Sequence, residues 1–179
     1  MPKNLTIKSI QSADITANML DHFERKQETR NVHVQTNGNL INKEDAFEDD
    51  WTNEDKRNIV AHFDTVLNDG GAVIVAEQSG MVVGFAVIEG NLFGSRDTYL
   101  ELSFIHVTRQ MRGKGIGEML MEKVRDEAKR LGASKLYIGA HPNVATQSFY
   151  RKIGCVLAEE VNQEIYDREP RDIQLELLL

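Results

Sequence analysis

The chain has 179 residues, 41% apolar and 27% charged, with a formal net charge of −7, which suits one globular domain with its own core. That charge argues against a nucleic-acid surface, which needs a basic face, and leaves room for a cationic partner. One cysteine, Cys155, excludes an internal disulfide; no run approaches the roughly 20 apolar residues of a membrane span, and Met1 to Leu5 has no leader-like stretch, so a cytoplasmic protein with no membrane partner is expected.

Leu5 to Ile10 alternates apolar and polar residues and reads as a strand. A helical pattern follows from about Ser12 to Arg30, and Asn31 to Trp51, rich in Asn and acidic residues, reads as a long loop. Thr52-Asn53-Glu54-Asp55 starts a second helix, whose stripe is Ile59, Val60, Phe63 and Leu67 and whose end is Asp69-Gly70-Gly71. Ala72 to Glu77 and Val82 to Glu89 are strands joined through Gln78-Ser79-Gly80, and Thr98 to Val107 is a third. Ile116, Leu120, Val124 and Leu131 mark one side of a helix that stops at Gly132. Lys135 to Ala140 is then a strand, Asn143 to Ile153 a helix, and Cys155 to Glu160 and Asp172 to Leu179 two strands. Strands followed by strand–helix–strand–helix predict an α/β (α+β) fold, a mixed sheet with helices on both faces. The strands flanking the Gly132 helix should run parallel. The apolar tail, Leu175 and Leu177 to Leu179, points to a homodimer.

The most informative segment is Arg112-Gly113-Lys114-Gly115-Ile116-Gly117, between a strand and a helix. A helix start offers free amides and the positive end of the peptide dipole, and glycines let a ligand approach the backbone. A pyrophosphate fits such a nest. A Walker loop would need Ser or Thr after Lys114, where Gly115 stands; the dinucleotide fingerprint would need a glycine at 118, where Glu118 stands.

Arg112-x-x-Gly115-x-Gly117 instead resembles the Arg/Gln-x-x-Gly-x-Gly/Ala signature of the GCN5-related N-acetyltransferases (GNAT). Asn143 through Tyr150 to Gly154-Cys155 resembles that family's second signature, with Cys155 where the family has Phe. The resemblance is specific over about 99–155 and implies a single GNAT-like domain over 1–179: an acceptor side in 1–71 and an acetyl-CoA core in 72–179, on a mostly antiparallel sheet of about seven strands. It implies that Arg112, Gly113, Lys114, Gly115, Ile116 and Gly117 hold the pyrophosphate. Two splayed parallel strands would admit the pantetheine arm to the main chain of Ile105, His106 and Val107, with Asn143 touching that arm.

The implied activity is N-acetyl transfer from acetyl-CoA to a primary amine, in a small molecule or a peptide, directly within a ternary complex. Tyr150 would protonate the leaving thiolate: a phenol's ordinary pKa is near 10, above the roughly 8.5 of a reference thiol. Glu101, a carboxylate in an apolar strand, is favoured as base over His106, which simple alternation puts on the opposite face. Phe23, Gln27 and Trp51 are expected at the acceptor, with Phe23, Lys26 and Gln27 sharing a helix face. A non-catalytic acyl-CoA sensor is the alternative. No metal is implied.

Overall fold

The structure, a computed structural model, describes residues 2–179. Strand β1 (Leu5–Ser9) leads through a 3₁₀ turn (Ser12–Asp14) to strands β2 (Gln27–Thr36) and β3 (Asn39–Asp49) and helix α1 (Asn53–Asn68). Strands β4 (Ala72–Gln78), β5 (Met81–Ile88) and β6 (Tyr99–Val107) follow, then helix α2 (Ile116–Arg130) and strand β7 (Lys135–Ala140). Helix α3 (Val144–Lys152), strand β8 (Val156–Leu157), helix α4 (Gln163–Arg168) and strand β9 (Ile173–Leu178) complete the chain.

Seven strands make one sheet in the order β1-β4-β5-β6-β7-β9-β8, in which β6 and β7 are the parallel neighbours and the other pairs are antiparallel. This is the mixed, mostly antiparallel architecture expected. Its two cores follow from the two-residue period of β4 and β5. Val73, Val75, Phe85 and Val87 pack with Phe63 of α1, while Ile74, Ala76, Ala86 and Ile88 pack with Leu120 and Val124 of α2. Burying each such side chain contributes roughly 1.5–3 kcal/mol. Helix α1 starts where its sequence says it should: the Asp55 amide donates to Thr52 Oγ1 at 3.1 Å, and the Thr52 amide to Asp55 Oδ2 at 2.8 Å.

Three expectations need correction. No helix spans Ser12 to Arg30; beyond the 3₁₀ turn the chain runs through turns into β2. Ile15, Met19, Leu20 and Phe23 have helix-like spacing, but they reach the α1-side core from successive turns, so tertiary packing overrides the pattern. The supposed loop 31–51 is largely a hairpin closed by Asn37 (φ 50°) and Gly38 (φ 78°). The C-terminal leucines are not a free patch: β9 inserts between β7 and β8, burying Leu175 and Leu177, and only Leu178 is strongly exposed, at 70%. The tail is thus an inner strand of the sheet rather than a free face for a dimer. Helix α4 was not foreseen, and β8 is shorter than the strand expected there. Among the described residues no helix is long and apolar enough to cross a membrane.

The sheet's one parallel junction positions the site. β6 pairs with β7 only at Tyr99–Lys135, Leu100–Leu136 and Glu101–Tyr137. Beyond these pairs the strands part, leaving the β6 edge from Leu102 to Val107 unpaired on that side.

Candidate active site

The glycine loop lies just beyond the open end of β6. Gly113 (φ 75°) and Gly115 (φ 81°) are left-handed, a conformation that suits glycine, and a Cβ on either would meet no atom within 4 Å. Gly117 is packed instead: a Cβ there would stand 3.2 Å from the Phe149 ring. Gly115 caps α2 without a side chain, and the first amide after it to find an acceptor is that of Met119, on the Gly115 carbonyl at 3.2 Å. Among the described residues the amides of 113–118 therefore remain available to a ligand, at the positive end of a helix.

The Arg112 side chain does something else. Its guanidinium donates to the carbonyls of Val107 (3.0 Å), Lys26 (2.8 Å) and Arg25 (2.7 Å), pinning the segment before β2 to the end of β6. Lys114 stays at the surface, with Nζ 3.6 Å from Met111 Sδ.

From this loop a cleft of about 1200 Å³ runs along the gap between β6 and β7 to Trp51 and Arg25. Ile105, His106 and Val107 line it. The β5–β6 register slips between Val87, opposite Phe104, and Ile88, opposite Leu102, so Ser103 is an extra residue. Leu102 therefore shares the α2-side core with Ile105 and Val107, while Phe104 turns to the α1 side. The bulge reverses the alternation, and Glu101 and His106 fall on one face rather than on opposite faces.

Glu101 nevertheless does not line the cleft: both its oxygens accept from Arg168 Nη2 at 2.8 Å. Burial raises its carboxyl above the usual range against the pull of Arg168. His106 stacks its edge on Trp51 (4.8 Å between centroids), and burial, with Arg25 and Arg112 nearby, holds it neutral, well below the usual histidine range. Ser103, by contrast, lines the cleft and donates to Glu89 Oε2 at 3.0 Å, and Glu89 Oε1 meets His62 Nε2 at 2.6 Å. That route from cleft to surface was not visible in the sequence, because the bulge creates it.

Tyr150, on α3, lines the cleft and is 6% exposed, and its hydroxyl makes no hydrogen bond among the described residues. Burial raises its pKa above the ordinary phenol value, so the ring keeps its proton. Asn143 caps α3 through Oδ1, which accepts from the Ala145 amide at 2.8 Å, and Nδ2 donates to Thr29 Oγ1 at 3.0 Å.

Of the three acceptor-side expectations, Trp51 and Gln27 line the cleft; Phe23 does not. It is fully buried behind Trp51, 6.0 Å between ring centroids, and supports that wall from the core. Gln27 accepts from Arg25 Nη1 at 2.9 Å and donates to Thr146 Oγ1 at 3.1 Å, tying the hairpin to α3. Sequence reasoning missed His141 and Asp172, and saw Asp49 only as part of an acid-rich loop. The Asn143 amide donates to His141 Nδ1 at 3.1 Å, so Nε2 carries the proton shared with Asp49 Oδ2 at 2.8 Å. This neutral tautomer agrees with a pKa that burial lowers despite Asp49. Asp172 is pushed up to about 7 by burial, with Glu169 adding to it.

A sheet split at one parallel junction, a glycine loop of unfilled amides at its mouth and a phenol in the gap define an acyltransferase that works on a coenzyme A thioester. The chain belongs to the Acetyltransferase (GNAT) family, whose sequence model matches residues 21–155. It is similar to the L-amino acid N-acyltransferase MnaT of Escherichia coli (strain K12), 28% identical over 118 residues, covering 63% of this chain and 67% of that protein. It is also similar to the L-methionine sulfoximine/L-methionine sulfone acetyltransferase of Salmonella typhimurium, 29% identical over 97 residues; the match covers 52% of this chain and 56% of that protein. Among solved structures, a putative streptothricin acetyltransferase from Bacillus anthracis in complex with acetyl coenzyme A superposes with a TM-score of 0.71, at 19% identity over 98% of both chains. That likeness concerns the fold.

Proposed function

We propose that the protein transfers an acetyl group from acetyl-CoA to the primary amine of a small molecule, directly, with both substrates bound at once. The observation that carries this reading is one continuous cleft reaching from the free amides of 113–118 to Trp51 and Arg25. The residues present fit the cofactor: left-handed glycines facing open space and unfilled amides suit a pyrophosphate, and the unpaired β6 edge suits an amide-bearing arm. When bound, acetyl-CoA supplies a thioester, whose acyl carbon an amine can attack. Around it this chain positions Tyr150 to give its proton to the departing sulfur. Direct transfer is supported by Cys155: burial pushes its thiol up to about 12, so it offers no thiolate to carry the acetyl group. The two curated relatives are named for amino acids or their derivatives, which supports a small acceptor.

The amine must arrive neutral. With Glu101 bonded to Arg168, the relay Ser103–Glu89–His62 is the better route for its proton. Glu89→Gln is expected to lower kcat/KM near pH 7 on the order of 100-fold. Part of the loss should return at higher pH, where the amine loses its proton unaided. Unchanged kcat/KM across that range would remove Glu89 from the route.

The whole reading is tested by thiol release from acetyl-CoA against amino acids, polyamines, amino sugars and lysine peptides. Initial-velocity lines that intersect when both substrates are varied are expected; parallel lines would refute direct transfer. Coenzyme A binding with no thiol release for any amine would favour the sensor.

A further inference from the structure

Arg25 sits where a charged side chain is hard to keep. It is only 7% exposed, lies 5.7 Å over the Trp51 ring, and lines the cleft. Among the described residues its one side-chain hydrogen bond is from Nη1 to the neutral Gln27 Oε1, and Nε is buried with no acceptor. Among the described residues no carboxylate forms an ion pair with it: Asp49, whose charge acts on it most, is bonded to His141, and Asp50 takes the Trp51 amide. A guanidinium is a fork of donors matched to a carboxylate, and a buried cation without a partner anion is strongly unfavourable. Surface arginines of this chain find acids; Arg57 pairs with Asp21 and Arg168 with Glu101. Arg25, more buried than either, does not.

Resting on the acetyl-transfer reading, we infer that Arg25 is the anchor for an anionic group on the acceptor, and that the substrate is an amino carboxylate rather than a simple or polycationic amine. The carboxylate would lie against Arg25 over Trp51, with the amine directed along the cleft towards Ser103 and the β6–β7 gap. The rest of this end of the cleft suits a zwitterion. Asp49, Glu169 and Asp172 line the same cleft as His141, so an ammonium arriving with the carboxylate meets acidic groups there.

The test uses the full chain saturated with coenzyme A, titrated calorimetrically with L-amino acids of differing side chains and with the carboxamide of each. At least one amino acid should bind on the order of 100-fold more tightly than its carboxamide. Arg25→Gln should erase most of that difference, and Arg25→Lys, which keeps the charge but not the fork, should retain part of it. In turnover with the acids that bind, Arg25→Gln should raise KM while changing kcat little, and coenzyme A affinity, set by the backbone amides of 113–118, should match wild type and report an intact fold. If no amino acid binds better than its carboxamide, or if the preference survives Arg25→Gln, the inference is overturned. Acetyl transfer fails separately, by a protein that binds these acids and coenzyme A yet never releases thiol.

Discussion

Gly115→Asp is expected to abolish coenzyme A binding, weakening it on the order of 1000-fold, while leaving the protein folded. The position combines three properties. Its φ of 81° is left-handed, which aspartate tolerates at a cost of about 1–2 kcal/mol. Its Cβ direction is open, with no atom within 4 Å, so nothing in the core must move. It is also the N-cap of α2, which has no side-chain cap of its own. A carboxylate introduced there would put a negative charge beside the free amides at the positive end of the helix. The helix would then be stabilised by the group that fills its anion site and repels a phosphate. Thermal unfolding should change little, and calorimetry should show no heat of coenzyme A binding. Gly115→Ala separates strain from charge: it should bind more weakly than wild type but much better than the aspartate variant. An unaltered coenzyme A titration with Gly115→Asp would mean that these amides are not the phosphate nest.

How legible was this site? The segment from β6 through α2 could be read because its signals are local: a near-continuous apolar strand, glycines that fix a turn, and a 3.6-residue stripe of Ile116, Leu120 and Val124. The acceptor side was read badly because its signals are not. Ile15, Met19, Leu20 and Phe23 imitate a helix by spacing, yet they pack on the α1-side core from successive turns, Leu20 and Phe23 fully buried and Ile15 and Met19 partly so. The hairpin did leave a mark in Asn37-Gly38, the strongest short turn signal, flanked by Val32, Val34, Leu40 and Ile41; the polar residues around it hid the strands. Arg25 and the His141–Asp49 pair become a site only because the hairpin docks on α3, where the His33 amide donates to the Pro142 carbonyl at 2.9 Å. The β6 bulge has the same character. One extra residue turns Ser103 towards Glu89, and no periodicity in the sequence announces it.

Tyr150→Phe should lower kcat by about 100-fold while leaving KM for the amine and the affinity for coenzyme A close to wild type. The separation follows from what the hydroxyl does in the protein, which is nothing structural: it makes no hydrogen bond among the described residues, whereas the ring packs in the α2-side core beside Phe149, 5.3 Å between centroids. Removing one oxygen leaves that packing intact, so stability should not fall. The pH dependence adds a second check. Because burial raises the phenol above its ordinary value, Tyr150 holds its proton throughout the working range, and wild-type kcat should show no alkaline limb from its loss. The variant should therefore lie below wild type by a constant factor at every pH, rather than shifting the profile. A rate that converges with wild type at one end of the range would instead make Tyr150 a titrating base. Full activity in the variant would leave the departing thiolate to be protonated by water, and Tyr150 as a packing residue whose position in the cleft is incidental to the chemistry.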